Sequence, residues 1–167
     1  MADQERASAR APSSKHAFLA LDLGTKTGFA LTAAKGVVIS GTWDLSDKKD
    51  KDARFEHFRR QLDRAHKATP FTRVAFELVA AHKGTQAAHI YGGFKALLFL
   101  WCKDNGLGAP IGVPVGTLKK YWTGKGNTPK EGMIARAREC GYEPNDDNEA
   151  DAIALLHYIC GEEGHSI

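Results

Sequence analysis

The feature that most limits the fold of this chain is an acidic residue inside an apolar run. Asp22 lies in residues 18–23 (FLALDL), and Glu77 lies in the similar run 74–79 (VAFELV). Both runs are typical of buried strands. Because a buried carboxylate without a partner is costly, each acid requires a partner or a metal ion. If the two strands are parallel, both acids lie near the carboxyl ends, where ligands gather in such sheets.

The apolar periodicity predicts a mixed sheet covered by helices. Strands are expected at 16–23, 27–32 and 37–43, joined as a meander by turns at Gly24-Thr25-Lys26 and Lys35-Gly36. A helix with its apolar face on Phe55, Phe58, Leu62 and Ala65 follows. The remaining pattern predicts a strand at 74–79, a helix at 84–104, a short strand at 111–113, and helices around 118–122, 130–140 and 147–160. This order indicates an α/β fold.

Length and composition favour one domain without a membrane segment. The chain has 167 residues, enough for a single core, which we assign to 16–163. Residues 1–15 are polar and rich in Ala, Ser and Arg, a composition typical of a disordered tail. No apolar run approaches the ~20 residues of a membrane helix. The three dispersed cysteines, Cys102, Cys140 and Cys160, favour a reducing, cytoplasmic setting.

Charge is distributed unevenly along the chain. Residues 78–130 contain seven lysines and one acid, a local net charge of +6. Residues 131–167 contain nine acids and two arginines, a local net charge of −7. A basic middle segment suggests a polyanionic partner, because lysines near phosphates release condensed counterions. Solvated helix faces are the alternative explanation.

The last predicted helix begins with a cluster of acids. Asp147 and Asp151 are four residues apart and share a helical face, whereas Glu149 points roughly the other way. Singly, each acid has a structural explanation: Asp22 can cap a turn, Glu77 can pair with a lysine, and Asp146 or Asp147 can cap the helix. Together they match two-metal phosphoryl chemistry, in which carboxylates from separate elements hold two Mg²⁺ ions ~3.5–4 Å apart.

Four segments together resemble the RuvC-type Holliday-junction resolvases, particularly phage-like and prophage-like members. They are 21–30 (LDLGTKTGFA), Glu77 near the end of its strand, 147–156 (DNEADAIALL) and the lysine-bearing 116–130 (GTLKKYWTGKGNTPK). The resemblance spans about residues 16–160. It implies an RNase H-like fold, with a five-stranded sheet of three antiparallel strands and then two parallel ones. It also implies a homodimeric endonuclease of DNA recombination and repair, which nicks four-way junctions symmetrically using Mg²⁺ or Mn²⁺.

The same resemblance implies roles for individual residues. Asp22, Glu77 and Asp151 match the acidic motif as catalytic metal ligands. The fourth ligand of many relatives is an acid or a histidine at the position of Asn148, so Asp147 is the expected substitute and Asp146 the alternative. Lys120 (or Lys119) and Lys130 are expected to act on the scissile region. The expected nucleic-acid contacts are His82, Lys83, Lys119, Lys120, Lys125 and Lys130. The long helix around Gly92 is the candidate dimer face.

Other functions fit the sequence less well. An RNase H-like nuclease that acts on RNA shares the Asp-Leu-Gly-Thr-Lys segment, but the lysine-rich 116–130 favours a DNA junction. Sugar kinases and actin-like ATPases also use an Asp-x-Gly-Thr turn, yet they need a second lobe for which 167 residues leave no room. A catalytically weak junction-binding protein on the same fold would be expected to lose acids, and here only the fourth position is in question.

Overall fold

The computed structural model describes residues 17–33, 36–165 and 167. The predicted tail 1–15, together with His16 and Lys35 from the predicted first strand and turn, lies outside the described residues. In chain order the elements are β1 (Phe18–Asp22), β2 (Lys26–Thr32), β3 (Val38–Asp44), α1 (Ala53–Ala68), β4 (Arg73–Leu78), α2 (Thr85–Asp104), β5 (Ile111–Pro114), α3 (Val115–Thr123), α4 (Lys130–Glu139) and α5 (Asp147–Glu162).

The five strands form one mixed sheet in the order β3-β2-β1-β4-β5. The pairs β3-β2 and β2-β1 are antiparallel, because short turns join them. The pairs β1-β4 and β4-β5 are parallel, since helices on the sheet faces connect their strands. The predicted RNase H-like arrangement, three antiparallel strands followed by two parallel ones, is confirmed.

Alternate residues of β1 supply two different cores. Leu19 and Leu21 join an aromatic-rich cluster with residues of α1 and α2, such as Phe58 and Phe94. Ala20, on the other face, joins a cluster made largely by α5 with α3 and α4. Small residues on the sheet and helix at this second face allow α5 to lie directly against β1 and β2. The acidic first turns of α5 are therefore held close to the central strands.

The predicted number and order of strands and helices are confirmed, and only the ends of these elements differ. The largest shift is in α3, which begins at Val115 rather than near Leu118. Only Leu118 and Trp122 of this helix are buried, so the apolar pattern marked only its inner part. As predicted, Gly141 follows the end of α4, and its positive φ of 90° suits a glycine.

Helix α2 uses its two central glycines differently. A Cβ at Gly93 would lie 2.6 Å from the Phe55 ring, so this glycine lets α1 and α2 approach closely. A Cβ at Gly92 would meet no described residue within 4 Å, and farther along the helix Phe99 and Leu100 are 39% and 58% exposed. Part of the apolar surface of α2 therefore remains exposed. No helix among the described residues is long and apolar enough to span a membrane.

Candidate metal centre

Three of the predicted acids meet at one end of the sheet. Asp22 ends β1, Glu77 lies one residue before the end of the neighbouring parallel strand β4, and Asp151 lies in the second turn of α5. The register of the parallel pair, with Leu21 beside Phe76, brings Asp22 next to Glu77. One carboxylate oxygen from each acid lies within 4.8 Å of the other two. We call these three residues the acidic pocket.

The hydrogen bonding of the acidic pocket is incomplete. Asp22 and Glu77 share a side-chain hydrogen bond, and Glu77 is only 7% exposed. The Oδ1 atom of Asp151 is buried and has no hydrogen-bond partner among the described residues. A buried carboxylate oxygen without a donor is costly unless a cation binds there. Three converging carboxylates are the hard oxygen ligands that Mg²⁺ and Mn²⁺ prefer, so these residues fit a divalent ion.

Burial raises the pKa of all three acids, and repulsion from neighbouring acids adds to the effect at Asp22 and Asp151. Burial raises the pKa of Asp22 well above its usual range, and the charges of Glu77 and Asp151 add to the effect. Burial also raises the pKa of Glu77, against the opposing hydrogen bond from Asp22. The pKa of Asp151 is raised to about 7 by burial and by the charge of Glu77. The metal-free pocket therefore retains protons near neutral pH, and a divalent cation would displace them.

Two lysines lie near the acidic pocket. The Nζ of Lys130 forms an ion pair with Asp147, and this hydrogen bond is the main cause of the raised pKa of Lys130. The Nζ of Lys119 donates to the carbonyl oxygen of Thr128 at 2.8 Å. The positive charges of Lys119 and Lys130 both lower the pKa of Asp151, in opposition to burial.

The remaining predicted lysines lie on the surface. Lys83, Lys120 and Lys125 are all exposed, and none of them is among the charges that act on the acidic pocket. Of the two adjacent lysines on α3, the structure therefore brings Lys119, rather than Lys120, within electrostatic reach of the acids. The sequence left this choice open because the family resemblance fits either of these adjacent lysines.

The fourth metal ligand stays a prediction. Asp147 is near enough for its charge to raise the pKa of Asp22 and Asp151, but it pairs with Lys130 and lies outside the group of three converging oxygens. Asp146, the alternative, is the N-cap of α5, and its carboxylate accepts from the backbone N–H of Glu149 at 2.9 Å. Asn148 is half-buried, and its backbone carbonyl packs against β2 at Gly28.

Sequence analysis missed the group that holds the end of β4. The Tyr91 hydroxyl of α2 donates to the carbonyl oxygen of Glu77 at 2.9 Å and accepts from the N–H of Val79 at 3.2 Å. The ring of His82 lies 4.6 Å from that of Tyr91, with its Nε2 buried and unpaired among the described residues. The sequence signal was only a tyrosine on a helix with the correct apolar spacing, which does not reveal what its hydroxyl contacts.

The overall structure is similar to solved resolvases, whereas comparisons by sequence find nothing. No protein-family model and no curated protein matches the chain. A structure described as Thermus thermophilus RuvC in complex with a Holliday junction substrate has a TM-score of 0.74 and 18% identity, covering 90% of this chain and 97% of that one. A structure of Thermus thermophilus RuvC has a TM-score of 0.65 and 19% identity, and the match covers 89% of this chain and 96% of that one.

The yeast mitochondrial Holliday junction resolvase Ydc2 is also similar, with a TM-score of 0.58 and 9% identity over 83% of this chain and 75% of that one. At such low identity the likeness shows the fold alone. The chain has the fold of RuvC, and its acidic pocket lies at the carboxyl ends of β1 and β4.

Proposed function

We propose that this chain is a metal-dependent endonuclease that resolves Holliday junctions or related branched DNA. The observation that carries the proposal is the acidic pocket, in which Asp22, Glu77 and Asp151 converge and one buried carboxylate oxygen has no partner in the described part of the chain. The likeness to RuvC over nearly the whole of both chains supports it, since one of the similar structures holds a junction substrate. We assign the nuclease to residues 16–163 and propose that 1–15 form a tail outside it.

The residues of the acidic pocket have defined tasks in this function. They would hold Mg²⁺ or Mn²⁺, with two ions proposed and Asp147 as the fourth ligand. When bound, the ions supply Lewis acidity and an activated water for phosphodiester hydrolysis. The ammonium groups of Lys119 and Lys130 lie beside the pocket, where they can neutralise negative charge that develops on a phosphate. In this assignment Lys119 takes the role that the sequence analysis gave first to Lys120.

DNA binding is proposed for the exposed lysines outside the acidic pocket. Lys83, Lys120 and Lys125 are exposed, and such lysines bind phosphates without reading sequence. His82 is half-buried against Tyr91, so any contact with DNA would use the accessible part of its ring. The three cysteines are free thiols, which is consistent with the proposed reducing, cytoplasmic setting.

Symmetric resolution requires two active sites, and we propose a two-fold homodimer. The open side of Gly92 and the exposed Phe99 and Leu100 give α2 a face for a second copy. Size-exclusion chromatography with light scattering tests this assignment. A chain that remains monomeric at assay concentration would exclude paired nicking.

The experiment that tests the function is cleavage of a synthetic four-way junction, compared with matched duplex and RNA–DNA hybrid. Each substrate is incubated with Mg²⁺, Mn²⁺ or EDTA. The variants are Asp22→Asn and Asp151→Asn, with Glu162→Gln as the control because it is an exposed acid at the far end of α5. We expect symmetric, metal-dependent junction nicking that both pocket variants lose and the control keeps.

The other outcomes identify the competing functions. Preferential cleavage of the hybrid would assign the chain to the RNA-directed nucleases. Tight junction binding without cleavage in either metal would indicate a catalytically weak junction-binding protein, consistent with Asn148 at the position where many relatives have an acid or a histidine.

A further inference from the structure

The first turn of α5 is attached to the edge strand β3 by two acids. The Asp146 carboxylate accepts from the Thr42 hydroxyl at 2.7 Å and from the backbone N–H of Glu149 at 2.9 Å. Glu149, only 4% exposed, accepts from the Ser40 hydroxyl at 2.8 Å. Its other oxygen accepts from the backbone and side-chain nitrogens of Asn145 at 2.9 and 3.0 Å. We call these five residues the α5 anchor.

The α5 anchor and the acidic pocket share one row of the sheet. Thr42 of β3 pairs with Gly28 of β2, and Gly28 pairs with Asp22 of β1. Residues in register on neighbouring strands point to the same face. Thr42 holds the N-cap of α5, and Asp22 faces Asp151. This row of residues therefore connects the start of α5 with Asp22, the proposed metal ligand on β1.

The middle of that row has no space for a side chain. A Cβ at Gly28 would lie 1.9 Å from the carbonyl oxygen of Asn148 and 3.0 Å from the backbone nitrogen of Glu149. The first turn of α5 thus rests directly on the backbone of β2. Contact with Gly28 sets the distance between α5 and the sheet. The hydrogen bonds from β3 set the position of α5 along this row of residues.

Burying a carboxylate only to stabilise packing is inefficient, because an apolar side chain of similar volume is often as stabilising. Hydrogen bonds to Glu149 are directional, so they fix the helix more closely than apolar contacts do. Metal ligands must be held within ~0.5 Å of their working geometry. Asp151 follows Glu149 by two residues on the other side of the helix, so a shift of this turn moves Asp151 relative to Asp22 and Glu77.

We propose that Glu149 and Asp146 are positioning residues, which hold the first turn of α5 on β3 and so place Asp151 for metal binding with Asp22 and Glu77. The inference rests on the proposed metal centre. It predicts that Ser40 and Thr42 on the edge strand, whose hydroxyls donate to Glu149 and Asp146 and not to the proposed metal ligands, affect the affinity of the site.

The test is Mn²⁺ binding to the purified full chain, followed by electron paramagnetic resonance of the free ion, with thermal unfolding measured in parallel. The main variant is Ser40→Ala/Thr42→Val, which removes both hydrogen bonds from β3 and leaves every charge in place. We expect it to weaken Mn²⁺ binding ~10-fold, the lower end of the effect of supporting residues at metal sites. Glu162→Gln, on the same helix but remote from the anchor, is expected to bind as wild type does.

The variant Glu149→Gln distinguishes a positioning role of Glu149 from an effect of its negative charge. The amide keeps the shape and can still accept from Asn145 and donate to Ser40, so Mn²⁺ binding is expected to stay within ~3-fold of wild type. Glu149→Ala, which removes these bonds, is expected to weaken binding ~10-fold or more. If Glu149→Gln lost as much affinity as Glu149→Ala, the charge of Glu149 would be responsible and the positioning role would be wrong.

Two further results are decisive. Wild-type Mn²⁺ affinity in Ser40→Ala/Thr42→Val, measured below its unfolding temperature, would show that the α5 anchor serves stability alone and would overturn the inference. Asp151→Asn serves as the reference for the metal centre itself. If Asp151→Asn and wild type bound Mn²⁺ equally, the proposed metal centre would fail, and that result is distinct from a failure of the anchor alone.

Discussion

Two carboxylates in the first two turns of α5 have opposite surroundings. The oxygens of Glu149 accept three hydrogen bonds, from Ser40 and Asn145. One oxygen of Asp151 is buried without a partner among the described residues, and two other acids face this residue. The hydrogen bonding of Glu149 is thus satisfied within the protein, whereas that of the acidic pocket is incomplete. Unpaired buried charge is a better guide to function than buried charge as such.

The largest expected difference between the two regions is in cleavage. Asp22→Asn removes a ligand from the acidic pocket and is expected to slow junction cleavage by ~1000-fold or more, because the metal-bound transition state loses a carboxylate. Glu149→Gln, an equally conservative change in the α5 anchor, is expected to cost less than ~10-fold. Single-turnover cleavage rates measure both. Equal losses would remove the distinction between the two regions.

The two adjacent lysines of α3 differ in the same way, because one acts on the acidic pocket and the other does not. Lys119 acts electrostatically on Glu77 and Asp151, whereas Lys120 is exposed. Lys119→Ala is therefore expected to slow cleavage ~100-fold, and Lys120→Ala less than ~3-fold through weaker phosphate binding. Rates at saturating junction concentration separate the chemical step from binding. A larger effect at Lys120 would restore the assignment that the sequence analysis put first.

The acidic pocket should also make stability depend on pH. The pKa of Asp151 is raised to about 7 in the folded chain. At pH values between the usual pKa of an aspartate and about 7, the folded chain therefore binds more protons than the unfolded chain. Stability without metal therefore falls as pH rises through that range to about 7. Asp151→Asn is expected to stabilise the metal-free chain at pH ~8 by a few kcal/mol, at about 1.4 kcal/mol per tenfold change in proton affinity.

Urea unfolding in EDTA at acidic and mildly basic pH measures this effect. The gain from Asp151→Asn should be present at the higher pH and should diminish at pH ~4, where the carboxyl is protonated in the folded state. A wild-type chain whose stability rises with pH over the same interval would contradict the raised pKa.

The smallest expected effect lies at the border of the acidic pocket, where Tyr91 holds the end of β4. Tyr91→Phe leaves the Glu77 carbonyl and the Val79 N–H without this partner, so we expect a loss of ~1 kcal/mol of stability. Cleavage should fall only a few-fold, because the Glu77 carboxylate itself remains.

Tyr121→Phe is the matched control for this change, since Tyr121 is an exposed residue whose hydroxyl donates to the backbone carbonyl of His157 on α5. It should leave cleavage unchanged. An equal loss of cleavage in both variants would show that Tyr91 has no specific role at the end of β4.

The acids of the pocket were predictable because their signal is local. Asp22 and Glu77 interrupt apolar strands, and the parallel pairing of those strands brings them together. The α5 anchor was not predictable, because Ser40 and Glu149 are 109 residues apart and only the folded sheet shows that they meet. The sequence placed Glu149 on the far side of its helix but contained no sign of its donors.

The choice between neighbouring residues was also beyond the sequence. Lys119 and Lys120 differ by one position, and one step along a helix turns the side chain by about 100°. The packing of Leu118 and Trp122 against the core sets the rotation of α3 and so decides which one faces the acids. Asp146, Asp147 and Asn148 present the same problem at the start of α5, where the structure assigns the cap but not the fourth ligand.

The most direct test of the central claim is anomalous diffraction from crystals grown with Mn²⁺. The account predicts a peak between the carboxylates of Asp22, Glu77 and Asp151, at ~2.0–2.2 Å from their oxygens, and its loss in Asp151→Asn. Mn²⁺ bound elsewhere on the chain, with the acidic pocket occupied by protons or by the Lys119 ammonium, would contradict the account.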